Sequence, residues 1–129
     1  MAYAEKTKVP VTQTKGDIEK LVNKYKSTSF GIMTSGERVQ VAFQIEGRNV
    51  LFRVSVPEDP QQERARWRAL LLVIKAKLES VDTGIETFED AFLANIVLPD
   101  GQTVADHVRP AIESHYSGKT NVPLLPHLN

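Results

Sequence analysis

Six basic side chains are the residues of this sequence best suited to chemistry on an anion: Arg64, Arg66, Arg68 and Lys75 in one segment, Arg48 and Arg53 in another. At 100° per residue, Arg64, Arg68 and Lys75 fall within about 40° of one another on a helix, while Arg66 and Lys77 edge its other flank. Guanidinium forks match the geometry of phosphate and carboxylate groups. Two such rails, joined by Arg48 and Arg53, would hold an anionic ligand or nucleic acid. Packing alone accounts for the same pattern. Arginines at the rim of a buried helix lay their stems over apolar surface and pair with Glu63, Glu79 or the acidic C-terminal part. Trp67, inside the cluster, has the spacing of a core anchor with Leu70, Leu71 and Ile74, not of a base-stacking platform.

Other chemistries find less support. The 129 residues contain no cysteine, which excludes disulfide scaffolds, thiolate zinc sites and cysteine nucleophiles. The three histidines, His107, His115 and His127, include no pair at i+3 or i+4, so no metal site is expected. No Gly-x-Ser-x-Gly elbow and no phosphate-binding glycine loop occurs. Glu86, Glu89 and Asp90 would suit acid–base work, but their place in the first turn of a helix is explained by its dipole. Nothing calls for a cofactor, and an enzyme is less expected than a binding protein.

The formal net charge is zero, from 16 basic and 16 acidic residues, which argues against an indiscriminate polyanion binder. That zero hides a segregation. Residues 61–81 hold five basic side chains against Glu63 and Glu79, whereas residues 82–116 hold seven acidic ones against Arg109 alone. No apolar run approaches the ~20 residues of a membrane span. The first residues lack the apolar core of a secretory signal, so a cytoplasmic location is expected.

The elements that must position these residues are legible from periodicity. Residues 1–13 read as an extended arm, with Pro10 holding Val9 out of helical space. Thr14 and Asp17 resemble a capping box, followed by Ile18, Leu21, Val22 and Tyr25 at helical spacing, which predicts a helix over about 15–26. Phe30 and Ile32, then Val39 to Ile45, then Val50 to Val56, change to period 2 and predict antiparallel hairpins. Turns fall at Thr34–Glu37 and Glu46–Asn49. The segment from Gln61 to Asp82 predicts a long helix closed by Gly84. Trp67, Leu70, Leu71, Ile74, Leu78 and Val81 form its sheet-facing arc. A second arc of Ala65, Ala69, Leu72, Val73 and Ala76 calls for a cover, either the C-terminal helices or another copy. Thr87 and Thr103 start two further helices, the second with Val104, Val108, Ile112 and Tyr116 at i+4 steps and a kink or break expected at Pro110.

The fold class expected is α+β: an N-terminal helix, a three-stranded antiparallel sheet packed on a long helix, then short C-terminal helices that complete the core. One domain spans 14–118, and an apolar tail, 119–129, docks on it or on a partner. A homo-oligomer is expected, with Leu72, Val73, Ala76, Leu124 and Leu125 as interface candidates. The order helix–strand–strand–strand–helix is shared with double-stranded RNA-binding domains, but Gln61-Gln62-Glu63 stands where those carry a lysine-rich helix start.

The run Arg66–Glu79, together with Thr87-Phe88-Glu89, Ile96–Gly101, Pro123–Pro126 and Ala4–Val11, resembles a family of small proteins encoded by bacteriophages and prophages. The likeness covers nearly the whole chain and departs at Pro57–Pro60, where the connection is shorter. It implies a phage origin and the host cytoplasm, and carries no activity or site residues with it. Two functions follow as expectations. One is a non-enzymatic accessory protein binding a host component, either a defence protein or a small anionic or nucleotide ligand. The other is a nucleic-acid-binding protein of phage replication or recombination. An enzyme without a recognisable motif is the remaining alternative.

Overall fold

A computed structural model of the chain describes residues 5–118. The elements run α1 (Val11–Lys24), β1 (Ser29–Ser35), β2 (Arg38–Ile45), β3 (Arg48–Ser55), α2 (Pro60–Asp82), α3 (Phe88–Phe92), a 3₁₀ turn (Leu93–Asn95) and α4 (Val104–Tyr116). This is the expected α+β order. The sheet is an antiparallel meander, β1-β2-β3.

Both hairpins are tighter than their composition suggests, because glycine places the turn. Ser35 pairs with Arg38 around Gly36, which alone takes a positive φ, and Ile45 pairs with Arg48 around Glu46 and Gly47, which both do. Two-residue turns of this hand match the strand twist. They fix a register in which Val39, Val41, Phe43, Ile45, Val50 and Phe52 share the buried face. β1 is an open edge. The outer edge of β3 is covered, since the Asn49 carbonyl accepts the Val97 N–H at 2.8 Å and the Leu51 carbonyl accepts from Asn95 Nδ2 at 3.0 Å.

The arc expected of the long helix is the one that packs: Trp67, Leu70, Leu71, Ile74 and Leu78 are buried, and Val81 packs against them. Pro60 is more than a strand terminator. It occupies the first position of α2, where its missing N–H costs nothing, and the Asp59 side chain caps the helix by accepting from the Gln62 N–H at 3.0 Å. Gly84, at φ 79°, closes α2 as expected, with the Ile85 and Gly84 N–H groups returned to the Ser80 and Val81 carbonyls.

Three expectations are corrected. Helix α1 begins at Val11, not Lys15, so the irregular stretch before it ends at Pro10 rather than Gln13. Thr14 is not its cap: it lies in the first turn, fully buried, in line with Ile18 and Val22, and its hydroxyl has no hydrogen-bond partner among the described residues. Burial on α2 outweighs the capping preference there. The Pro10 carbonyl starts the helix instead, accepting from Gln13 and Thr14. Second, α4 runs unbroken through Pro110. Pro110 lies opposite the apolar stripe on the solvent side, where the lost hydrogen bond exposes a carbonyl to water.

Third, the C-terminal helices do not complete the core together. Phe88, Ala91 and Phe92 of α3 are buried, whereas α4 has no buried residue. The second arc of α2 is left largely open: Val73 is 46% exposed, Ala76 is exposed and Leu72 half-buried. Leu124 and Leu125 lie outside the described residues, as does the rest of 119–129. No described helix is long and apolar enough to cross a membrane.

Candidate functional site

The six basic candidates do not converge. Arg48 on β3 reaches Glu89 on α3 at 2.9 Å, Arg68 on α2 reaches Asp17 on α1 at 2.9 Å, and Arg53 on β3 pairs with Asp106 on α4. Each tie joins two elements far apart in sequence. Being partly exposed, each contributes little to stability. Arg64 donates from Nη2 to Gln61 Oε1 at 2.6 Å, and its Nε is buried without a partner among the described residues. Arg66 and Lys75 are exposed and make no ion pair among the described residues. Nine residues separate them, which places them on opposite sides of α2. The hairpin arginines thus meet the acidic C-terminal segment, and the α2 arginine meets α1.

Arg53 and Asp106 line a half-open polar notch of about 280 Å³ between β3 and the start of α4. The capping box expected at Thr103 is formed in full: the Asp106 N–H donates to Thr103 Oγ1 at 3.1 Å, and the Thr103 N–H donates to Asp106 Oδ2 at 3.0 Å. Arg53 adds a bond to Thr103 Oγ1 at 3.5 Å. Arg53, Thr103 and Asp106 on the wall of the notch thus bond to one another. The Thr103 N–H first, then the Arg53 guanidinium, hold the Asp106 carboxyl at about 2, below the ordinary 3.8.

A pH dependence follows with a definite sign. A carboxylate whose folded value is depressed stabilises the fold fully above its unfolded value and loses that contribution as pH falls through the folded one. Asp106→Asn is therefore expected to lower the denaturant midpoint at pH 7, with the gap to the parent chain closing between about pH 4 and pH 2. A gap independent of pH in that window would show that Asp106 acts through shape alone.

Beside the notch, α3, the 3₁₀ turn and α4 enclose an open groove of about 460 Å³. Its walls are Ala91, Leu93, Val104, Val108 and Ile112, and its rim carries Lys77, Asp90 and Arg109. Along α4 the stripe is progressively uncovered. Val104 packs on the core, Val108 and Ile112 are 39% and 41% exposed, and Tyr116 is 89% exposed; Leu93 across the groove is 48% exposed. Isolated surface aliphatics are ordinary, but a contiguous apolar trough marks an interaction site. The trough holds its shape because Lys77 Nζ donates to the Ala91 carbonyl at 2.9 Å, fastening α3 to α2.

Sequence reasoning found the α4 stripe and took it for core. It missed Leu93 and Ala91, whose role follows only from α3 turning into a 3₁₀ turn before α4. Acid–base candidates are dispersed, with Glu89 on Arg48 and Glu86 accepting from Ser80 Oγ at 2.7 Å. Among the described residues, no three His, Asp or Glu side chains cluster as a metal site would require. Comparison of the chain with protein-family models, with curated proteins and with solved structures gives no match.

Proposed function

We propose that this chain is a non-enzymatic binding protein that acts through protein contacts at the groove between α3 and α4, taking an amphipathic helix of mixed charge. In the phage setting that the sequence resemblance implies, this is an accessory protein of the host cytoplasm. The observation that carries the reading is a 13-residue helix, α4, with no buried residue and its apolar stripe open beside Leu93. A trough between two helices accepts a third by ridge-and-groove packing. A rim of Lys77, Asp90 and Arg109 offers both signs of charge to the flanks of such a helix.

The basic side chains favour this reading over a nucleic-acid binder. Three of the six, Arg48, Arg53 and Arg68, have their guanidinium on a carboxylate of the same chain, and Arg66 and Lys75 face apart.

Benzoylphenylalanine placed at Ile112 and irradiated in cells is expected to give a discrete protein adduct. The same probe at the exposed Glu58 gives none. Single- and double-stranded oligonucleotides are expected to stay unbound even at about 50 mM salt, where phosphate contacts are strongest. No adduct at Ile112, or salt-dependent oligonucleotide binding, would overturn the reading.

A further inference from the structure

We propose that the helix taken at this site is α4 of a second copy, laid antiparallel, so that two chains form a symmetric dimer. The inference rests on the reading of the groove as a protein-docking surface and names its partner.

The stripe of α4 is self-complementary under inversion. Val104, Val108, Ile112 and Tyr116 are spaced evenly about position 110. An antiparallel copy therefore sets Val108 opposite the partner's Ile112, and Val104 opposite the partner's Tyr116. The bulky, most exposed end of each stripe thus meets the smaller end of the other.

Charge selects the same orientation. Arg109 and Glu113 sit one turn apart on a single flank of the stripe, the flank that borders the groove at Arg109. In an antiparallel two-fold pair each flank meets its own copy. Inversion brings Arg109 to the partner's Glu113, and Glu113 to the partner's Arg109, with an axial offset of about 3 Å at 1.5 Å per residue. A parallel pair would set this flank against the opposite one, at His107 and Ala111, and leave Arg109 and Glu113 without these partners. Arg109 can reach this contact: its side chain is 72% exposed, and its ion pair with Asp106 is long, at 3.9 Å. Pro110 lies on the far side of α4 and leaves the contact unobstructed.

One helix per chain buries little area, at the small end of specific interfaces, where binding is weak and concentration-dependent. The experiment is light scattering of the full chain over a concentration series, with circular dichroism as a control for folding. Since Arg109, Ile112 and Glu113 are exposed, their variants should leave the domain folded. The apparent mass is expected to rise from one chain toward two across the micromolar range. Arg109→Glu and Glu113→Arg should each weaken dimerisation about tenfold, because each turns two attractive contacts into two repulsive ones. The double variant should recover to within about threefold of the parent, and Ile112→Asp should leave a monomer.

A chain that stays monomeric throughout overturns the dimer. So does a dimer that ignores these substitutions, as one joined through the open edge of β1 would. A monomer that still cross-links to another protein from Ile112 overturns the dimer and leaves the proposed function standing. A monomer that forms no adduct removes both.

Discussion

Trp67→Ala is expected to lower stability by about 3–5 kcal/mol, the range for truncating a large buried aromatic side chain. Trp67 is 2% exposed, on the arc of α2 that meets the sheet, with Lys15 Nζ of α1 5.1 Å from the ring centroid. The two neighbouring ties, Lys15 to the ring and Asp17 to Arg68, place α1 alongside α2, so the indole is held where two helices and the sheet meet. Its loss leaves a cavity that no single neighbour can fill. Against the 5–15 kcal/mol of a typical domain, that removes a fifth or more of the total. Urea unfolding followed by circular dichroism measures it. Trp67→Phe should cost much less, since most of the apolar surface remains. Equal costs for the two variants would mean that the indole nitrogen, not volume, matters here.

The second large effect belongs to Phe92. It is fully buried, meets Phe43 and Phe52 edge-on at 5.9 Å and 6.3 Å, and stacks on Phe88 at 4.7 Å. α3 is five residues long, far too short to persist without tertiary contacts. Phe92→Ala should therefore cost about 3–5 kcal/mol and act unevenly. The segment from α3 to α4, with the groove, should open before the hairpins do. Hydrogen exchange reads this directly. Protection should fall first at the Val97 and Val104 amides, which bond Asn49 and Ile96, and later at Val41 and Phe52 within the sheet. Uniform loss of protection would show that the groove and the sheet are one cooperative unit. Phe92→Leu, which keeps most of the apolar volume, should cost less than about 1.5 kcal/mol.

Elements with strong local causes were legible in residue order. Alternation over Val39–Ile45 and Val50–Val56 admits one buried face, and glycines at 36 and 47 supply the positive φ that two-residue turns require. The long helix was legible for the same reason, from the arc of Trp67 to Leu78 and from Gly84 behind it. Where a local preference met a tertiary demand, the tertiary demand won. Thr14 has the makings of a helix cap, yet it is drawn into the core and its hydroxyl is left without a partner among the described residues.

The candidate site was much less legible. In sequence, Val104, Val108, Ile112 and Tyr116 look like the stripe of any packed helix. Whether such a stripe is covered depends on how α3 seats on the aromatic cluster of Phe43, Phe52, Phe88 and Phe92, and on the 3₁₀ turn that then directs the chain to α4. The basic residues show the same limit. Their types and helical angles are fixed by position, but Arg48–Glu89 and Arg53–Asp106 join residues 41 and 53 apart in sequence. A charge acquires its partner only when the chain returns to it.

Residue order by itself therefore determined the strands, the turns, the arc of α2 and the caps at Thr87 and Thr103, because each rests on interactions within a few residues or on a repeating pattern. Only the tertiary structure decided which arginines are tied to carboxylates and which apolar stripe stays open to solvent. Both depend on distances between segments, and the burial of the core sets those distances without leaving a mark in any local pattern.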